Sequence, residues 1–137
     1  MSNTTLKVCV DGADMAFPVS EDKIDAAETA LERPLPAPLR AHLKKQNGGD
    51  LVAADDDWIL HPVRDDSDRK RLARTANDIV SETKMARNDS GFPAGGIAIA
   101  SNGTGDRLVL LPQSNAIFHW DHETRTVAEV TVEWDMA

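Results

Sequence analysis

Apolar residues alternate with small or polar residues between residues 91 and 120, and this pattern predicts three neighbouring strands. Large apolar side chains recur at every second position, which is typical of a strand that buries one face. The turns between these stretches contain Gly, Asn, Asp and Pro, which suit the backbone angles of hairpin loops. We therefore expect a sheet whose apolar face must be covered by the rest of the chain. The predicted strands are residues 97–100, 108–111 and 116–120.

Apolar residues at helical spacing predict two helices before this sheet. The first begins after Ser20, a capping residue followed by two acidic side chains, and ends before Pro34. The second begins at about Pro36, because proline fits a first turn, and ends at residues 47–49, where glycine supplies a left-handed stop. Both helices must lean on the sheet to be stable. Their apolar faces comprise Ile24, Ala27, Leu31, Leu39 and Leu43.

A third helix and further strands complete the predicted elements. An apolar stripe at helical spacing predicts one continuous helix from about Asp68 to Met85, with a basic opposite face. Short strands are expected at residues 51–52 and 58–62, on either side of the acidic run 55–57. A last strand is expected across residues 127–134, where apolar and polar side chains alternate. Helices and strands together predict an α+β fold.

Length and cysteine content limit the class of protein. A chain of 137 residues predicts one domain over residues 1–137, with one core. Cys9 is the only cysteine, which excludes an intrachain disulfide and a Cys-based zinc site, and we expect it to be buried in a strand at residues 6–10. The N-terminus lacks the apolar core of a signal peptide, and no run approaches a membrane span. We therefore expect a cytoplasmic protein without membrane contacts.

Acidic residues give the chain a formal net charge of −8, and many of them cluster in one stretch. This charge opposes direct binding to nucleic acid or anionic lipid and favours a basic protein partner. The cluster is either a solvated loop or a docking patch for that partner. Trp58 lies beside it, and its apolar neighbours favour a core position over an interface anchor. The candidate partner-binding residues are Asp55, Asp56, Asp57, Asp65 and Asp66.

Motifs that could support chemistry are weak. His119 and Asp121 share a strand face, but His122 points away from them unless a turn intervenes, so a metal site is not expected there. The glycine turn at residues 103–106 leads into a strand, whereas a phosphate-binding loop leads into a helix. We therefore predict no catalytic residue, no metal and no cofactor, and a protein that is not an enzyme.

The order of several short motifs resembles the SMI/KNR family of the SUKH superfamily. Residues 24–31, 35–43 and 47–49 are similar to the opening signature of that family, a helix with a glutamate, then LP, an amphipathic helix and NGG. Residues 91–106 and 117–122 resemble its second half. The similarity covers about residues 18 to 123. The motif residues, expected to determine the fold, are Glu28, Leu35, Pro36, Asn47, Gly48, Gly49, Gly103, Gly105, Asp106 and Trp120.

This resemblance implies a single α+β domain with a mainly antiparallel β-sheet and helices packed on it. It also implies a role, since bacterial members are cytoplasmic immunity proteins that bind and block a cognate toxin domain, commonly a nuclease, of polymorphic or contact-dependent toxin systems. We expect a basic toxin domain as the partner, and a monomer or weak homodimer. One alternative is a regulatory or scaffolding module of the fungal cell-wall type. Another is a small metal-dependent hydrolase that uses His119 and His122.

Overall fold

The structure, a computed structural model, describes residues 17–53 and 56–132, and the predicted strand around Cys9 lies outside them. The helices of the described residues are α1 (Glu21–Leu31), α2 (Ala37–Lys45), α3 (Arg69–Arg74) and α4 (Ile79–Arg87). The strands are β1 (Asp50–Ala53), β2 (Asp56–Leu60), β3 (Ile97–Ser101), β4 (Arg107–Leu110), β5 (Ile117–Asp121) and β6 (Thr126–Val130).

Six strands form one sheet in which each strand pairs with the next strand along the chain. Every pairing is antiparallel. An isolated bridge between Ala53 and Val132 joins the end of β1 to the segment after β6, so the sheet curls on itself. This topology confirms the predicted α+β class, the antiparallel sheet and the three central strands.

The larger core lies on the inner face of the sheet. The apolar faces of α1 and α2 belong to the same buried cluster as side chains from β1 to β5. Trp58 is fully buried, which confirms its predicted core position, and its indole Nε1 donates to the Ala53 carbonyl at 2.9 Å. Full burial of one large apolar side chain stabilises the fold by roughly 1.5–3 kcal/mol. Because α1 and α2 share this core, they cover the inner face of the sheet, as the spacing of their apolar residues predicted.

A smaller second core covers the outer face of the central strands. It comprises Ala86 of α4, Phe92, Ala98, Val109 and Trp120. Strand β3 consequently buries both faces, and the prediction of one buried face is wrong for it. The physical reason is that α4 packs against β3 on the side that alternation alone would leave to solvent.

The predicted third helix is wrong as a single element, because the chain forms two helices separated at residues 75–78. The Asp78 carboxylate accepts from the amides of Val80 at 3.1 Å and Ser81 at 3.2 Å, which starts a new helix. A side chain that takes over backbone donors in this way competes with helix continuation. Apolar spacing persists across the break, so periodicity alone could not detect it.

Other boundaries differ slightly from those predicted. Helix α1 ends at Leu31 because Glu32 has a left-handed φ of 63°, before the prolines are reached. Gly48 and Gly49 have φ values of 115° and 90°, as a left-handed stop requires. Strand β6 ends at Val130, ahead of the predicted limit, and residues 133–134 of that prediction are not described. Within the described ranges, no helix has the length and apolar character needed to span a bilayer.

Candidate protein-binding surface

Glu28 joins the end of α1 to the start of α2. Its Oε2 accepts from the Leu35 amide at 2.7 Å, and its Oε1 pairs with the Arg40 guanidinium at 2.8 Å. Leu35 and Pro36 are both buried beneath this junction. The glutamate of the motif therefore acts on the backbone of the helical hairpin, and its carboxylate oxygens are occupied by these contacts.

Asn47 clamps the turn after α2 to the segment after β2. Its Nδ2 donates to the Val63 carbonyl at 2.9 Å, and its Oδ1 accepts from the Val63 amide at 2.8 Å. Its own amide donates to the Phe17 carbonyl at 2.8 Å. Gly48 follows in a left-handed conformation, and its carbonyl lies 3.0 Å from Nε2 of His42. This motif is therefore a buried backbone clamp.

Asp106 gathers two histidines at one end of the sheet. Its Oδ2 lies 2.8 Å from Nε2 of His119, and its Oδ1 lies 2.6 Å from Nδ1 of His122. Burial alone would raise the pKa of Asp106, but hydrogen bonds from His122 and His119 outweigh it and lower the pKa to about 2. The same contact raises the pKa of His122. Strand β5 ends at Asp121, so a turn does intervene and brings His122 back to the cluster.

Gly105 makes room for this arrangement. A Cβ atom at residue 105 would lie only 3.0 Å from the His122 ring, and its φ of 107° is strained for other residues. Gly103 also has a positive φ, of 83°, but among the described residues, apart from its two chain neighbours, no atom lies within 4 Å of the position of a Cβ. Gly103 is therefore required only by the backbone conformation of the turn. Gly105 is required both by that conformation and by the close approach of the His122 ring.

Asp106, Asp121 and His122 form the one group of described side chains with the proximity needed for a metal ion, with candidate ligand atoms within 4.8 Å of one another. These atoms already serve the turn. Asp121 Oδ1 accepts from the amides of Glu123 at 2.8 Å and Thr124 at 3.2 Å, and Asp106 Oδ1 accepts from the His122 amide at 3.1 Å. A cation would have to compete with hydrogen bonds that shape the β5–β6 connection.

Trp120 belongs to the second core. Its Nε1 donates to the Gly91 carbonyl at 3.1 Å, and its ring meets the Phe92 ring edge to face at a centroid distance of 5.3 Å. Two motifs that are distant along the chain, Gly91-Phe92 and Trp120, are therefore in direct contact. Their packing is part of the fold.

The five candidate acidic residues occupy different environments. Asp55 lies outside the described residues, whereas Asp56 and Asp57 are exposed at the start of β2. Asp65 is buried, and its carboxylate accepts from the amide of Ser67 at 3.0 Å. Asp66 is exposed and pairs with Lys23 at 2.5 Å, a contact that lowers the pKa of Asp66. The structure thus brings Asp56 and Asp57 together at the surface and places Asp65 inside.

On the outward face of β1 and β2, two exposed apolar side chains lie beside two carboxylates, an arrangement that the acidic run alone did not predict. Asp50 pairs with Ile59 across the two strands, and Val52 pairs with Asp57. Val52 is 52% exposed and Ile59 is 55% exposed, although both are large apolar residues. Period-two alternation around the buried Trp58 contained the signal for Ile59, but the continuous apolar run 58–60 concealed it.

A cleft of about 250 Å³ lies beside this face. Ile59 and Asp50 contribute to its lining on the strand side. Arg71 and Arg74 contribute on the helix side, and they lie over the Phe17 ring at 4.4 Å and 5.0 Å from its centroid. The cleft therefore has an acidic and aliphatic side next to β1 and β2 and a cationic side next to α3.

His61 lies between the hairpin and the central strands. It is 3% exposed, and among the described residues neither of its ring nitrogens has a hydrogen-bond partner. Glu82 Oε1 lies 3.9 Å from its Nε2. Burial, with a contribution from the Arg107 charge, lowers the pKa of His61 to about 4. The imidazole is therefore neutral at physiological pH.

Comparison with known proteins identifies the family. Residues 18–135 match the model of the SMI1 / KNR4 family (SUKH-1), which covers most of the chain and all the motifs discussed above. No curated protein matches the chain. The chain therefore belongs to the SMI1 / KNR4 family (SUKH-1).

Proposed function

We propose that this protein is a cytoplasmic immunity protein that binds and neutralises a cognate toxin domain by direct protein contact. The observation that carries the proposal is the family match over residues 18–135. Bacterial members of the family that the motifs resemble act on toxins of polymorphic or contact-dependent systems, and the toxin domain is commonly a nuclease. A monomer or weak homodimer would perform this role.

Charge supports a basic partner. A nuclease must attract a polyanionic substrate, so the surface around its active site is basic. This chain carries a net charge of −8, and Asp50, Asp56 and Asp57 are exposed on neighbouring positions of β1 and β2. Complementary charge accelerates the encounter and disfavours wrong partners. Neutralisation then requires only that the bound protein covers the toxin's active site, without any chemistry of its own.

The proposal assigns no catalytic residue, metal or cofactor to the chain. The polar motif residues have structural contacts. Glu28 and Asn47 hydrogen-bond to backbone segments, and Asp106 holds the histidines in place. A second candidate, the metal-dependent hydrolase, is favoured only by the proximity of Asp106, Asp121 and His122. That reading requires stoichiometric zinc in the purified protein, lost when His119 and His122 are both replaced by alanine.

A pull-down from the native cells tests the proposal. The tagged protein is recovered at low and at high salt, and bound proteins are identified by mass spectrometry. We expect one basic toxin domain at near-equal stoichiometry, weakened by salt. The recovered domain, once purified, should lose its activity when one equivalent of this protein is added. Recovery of kinases or cell-wall synthesis enzymes in place of a toxin would point to the regulatory module.

A further inference from the structure

The face formed by Asp50, Val52, Asp57 and Ile59, hereafter the β1–β2 face, combines exposed aliphatic side chains with exposed carboxylates. Its cross-strand pairs each join one carboxylate to one aliphatic side chain, so the two aliphatic residues lie on a diagonal. All four side chains are exposed. Exposed apolar side chains that adjoin one another and have a polar rim are one mark of a protein contact site.

Other exposed apolar side chains of the described residues do not share this arrangement. Leu72, Met85 and Val127 lie on α3, α4 and β6, one on each element. Val52 and Ile59, by contrast, lie on paired strands held by the buried side chains of Leu51, Trp58 and Leu60. A rigid backbone beneath an apolar pair reduces the entropy that a partner must remove on binding. The β1–β2 face is therefore preorganised for contact.

The charges around the adjoining cleft indicate which part of a partner fits this face. Ile59 and Asp50 line the cleft on the strand side, opposite Arg71 and Arg74 of α3. Arg71 is already engaged by Asp68 Oδ2 at 2.5 Å and by the Phe17 ring. The exposed carboxylates of the β1–β2 face have no such cation: Asp50 and Asp57 form no ion pair with another described residue.

We propose that the toxin domain docks on the β1–β2 face, with an apolar side chain placed against Val52 and Ile59 and with flanking lysine or arginine residues beside Asp50 and Asp57. This inference rests on the proposed immunity function and names its contact surface. A desolvated apolar anchor at the centre and charge pairs around it are the arrangement that concentrates binding energy in few residues. The charges set the speed of encounter, and the apolar pair sets the lifetime of the complex.

The test compares affinities for the toxin domain recovered from native cells, measured by titration calorimetry. Val52→Thr exchanges one methyl for a hydroxyl at similar size, and Ile59→Thr also removes the Cδ1 methyl. Both keep a β-branched side chain suited to a strand while they reduce the apolar contact. Met85→Gln, on α4, is the matched control because it also replaces an exposed apolar residue by a neutral polar one. We expect the Kd to rise at least tenfold for Ile59→Thr and further for the double variant, whereas Met85→Gln stays within twofold.

Two results separate the possible failures. If the wild-type protein binds the toxin domain and the double variant binds it within twofold, the β1–β2 face is the wrong surface and the immunity function stands. If the wild-type protein binds no toxin domain, the proposed function fails and this inference falls with it. Circular dichroism verifies that the variants fold. A photo-crosslinking residue at position 52, compared with position 85, provides a second measurement, and equal crosslinking to the toxin domain at both positions would also overturn the inference.

Discussion

Strand β3 buries both of its faces, whereas the hairpin of β1 and β2 buries only its inner face. The outer face of β3 is covered by α4 and by the core around Trp120, and no described helix lies on Val52 or Ile59. The family-motif residues lie in the helical hairpin, in turns and in the second core, and none of those named lies on the outward face of β1 and β2. We infer that the central strands preserve the fold, while the exposed face of the hairpin is available to carry partner specificity.

Replacing Trp120, in the core that covers the outer face of β3, should cause the largest loss of stability. Trp120→Ala removes a fully buried ring, its contact with Phe92 and its hydrogen bond to Gly91. We expect a loss of about 3–5 kcal/mol in the free energy of unfolding, measured by urea denaturation. Ile59→Ala is the contrast, and it should change stability by no more than about 1 kcal/mol because its side chain is exposed. Equal losses would remove the distinction between the two regions.

The free energy of unfolding should fall when His61, which lies between the hairpin and the central strands, becomes protonated. Its pKa is lowered to about 4 in the folded protein, below the ordinary value of 6.5. A lowered histidine pKa means that the neutral form is preferred on folding, so its stabilising contribution is complete above pH 6.5 and is lost as the pH falls towards 4. The loss amounts to about 3 kcal/mol across this window.

Replacing His61 by leucine should remove this pH dependence. The difference in unfolding free energy between His61→Leu and the wild-type protein should grow in favour of the variant as the pH falls from 7 to 4. The variant should also be at least as stable at pH 7, because it eliminates two buried nitrogens that have no hydrogen-bond partner among the described residues. Parallel pH profiles for the two proteins would show that His61 does not titrate in this range.

The Asp106 cluster should contribute a smaller amount to stability. Asp106→Ala removes the carboxylate that receives His119, His122 and the His122 amide, and we expect a loss of about 2 kcal/mol. NMR titration of His122 gives a second readout. Its pKa is raised above 6.5 in the wild-type protein by the bond to Asp106. The stabilisation that this bond gives the fold is therefore complete below pH 6.5 and is lost as the pH rises through the folded pKa. An unchanged His122 pKa in the variant would contradict the assignment.

Charge reversal should leave the fold intact and slow binding. Changing Asp55, Asp56 and Asp57 together to lysine should reduce the association rate with the toxin domain at least tenfold at low salt, with a smaller effect at high salt. Stopped-flow measurements provide the rates. A control variant with the same change in net charge reverses three exposed residues elsewhere, Glu32, Glu123 and Glu129. If both triple variants slow association equally, net charge matters and the position of the acidic run does not.

Sequence patterns were sufficient for much of the fold because they depend on local spacing. The strands around Ile99 and Leu108 follow from alternation, and α1 and α2 follow from their apolar stripes. Ser20 does stand at the N-cap of α1, but its side chain makes no capping hydrogen bond. The split between α3 and α4 was not predicted, because the Asp78 cap competes with a periodicity that runs through it. The burial of both faces of β3 depends on where α4 packs, which is a tertiary property.

The surface was harder to predict than the fold. Charge count identified the acidic run, but it could not separate the exposed Asp57 from the buried Asp65. Neither could it place Asp50 beside Ile59, because that pairing depends on the register of β1 against β2. Only a cross-strand register shows that carboxylates and aliphatic side chains share one face. His122 was expected to point away from His119 and Asp121 unless a turn intervened, and the end of β5 at Asp121 supplies that turn.

Titration calorimetry of the purified protein with the basic toxin domain recovered from native cells decides whether the two bind and whether the β1–β2 face is the contact. We predict one-to-one binding that weakens as salt rises, and a Kd at least tenfold higher for the Val52→Thr, Ile59→Thr double variant than for Met85→Gln. Absence of binding by the wild-type protein would contradict the immunity function. Binding that is insensitive to the double variant would contradict the assignment of the β1–β2 face.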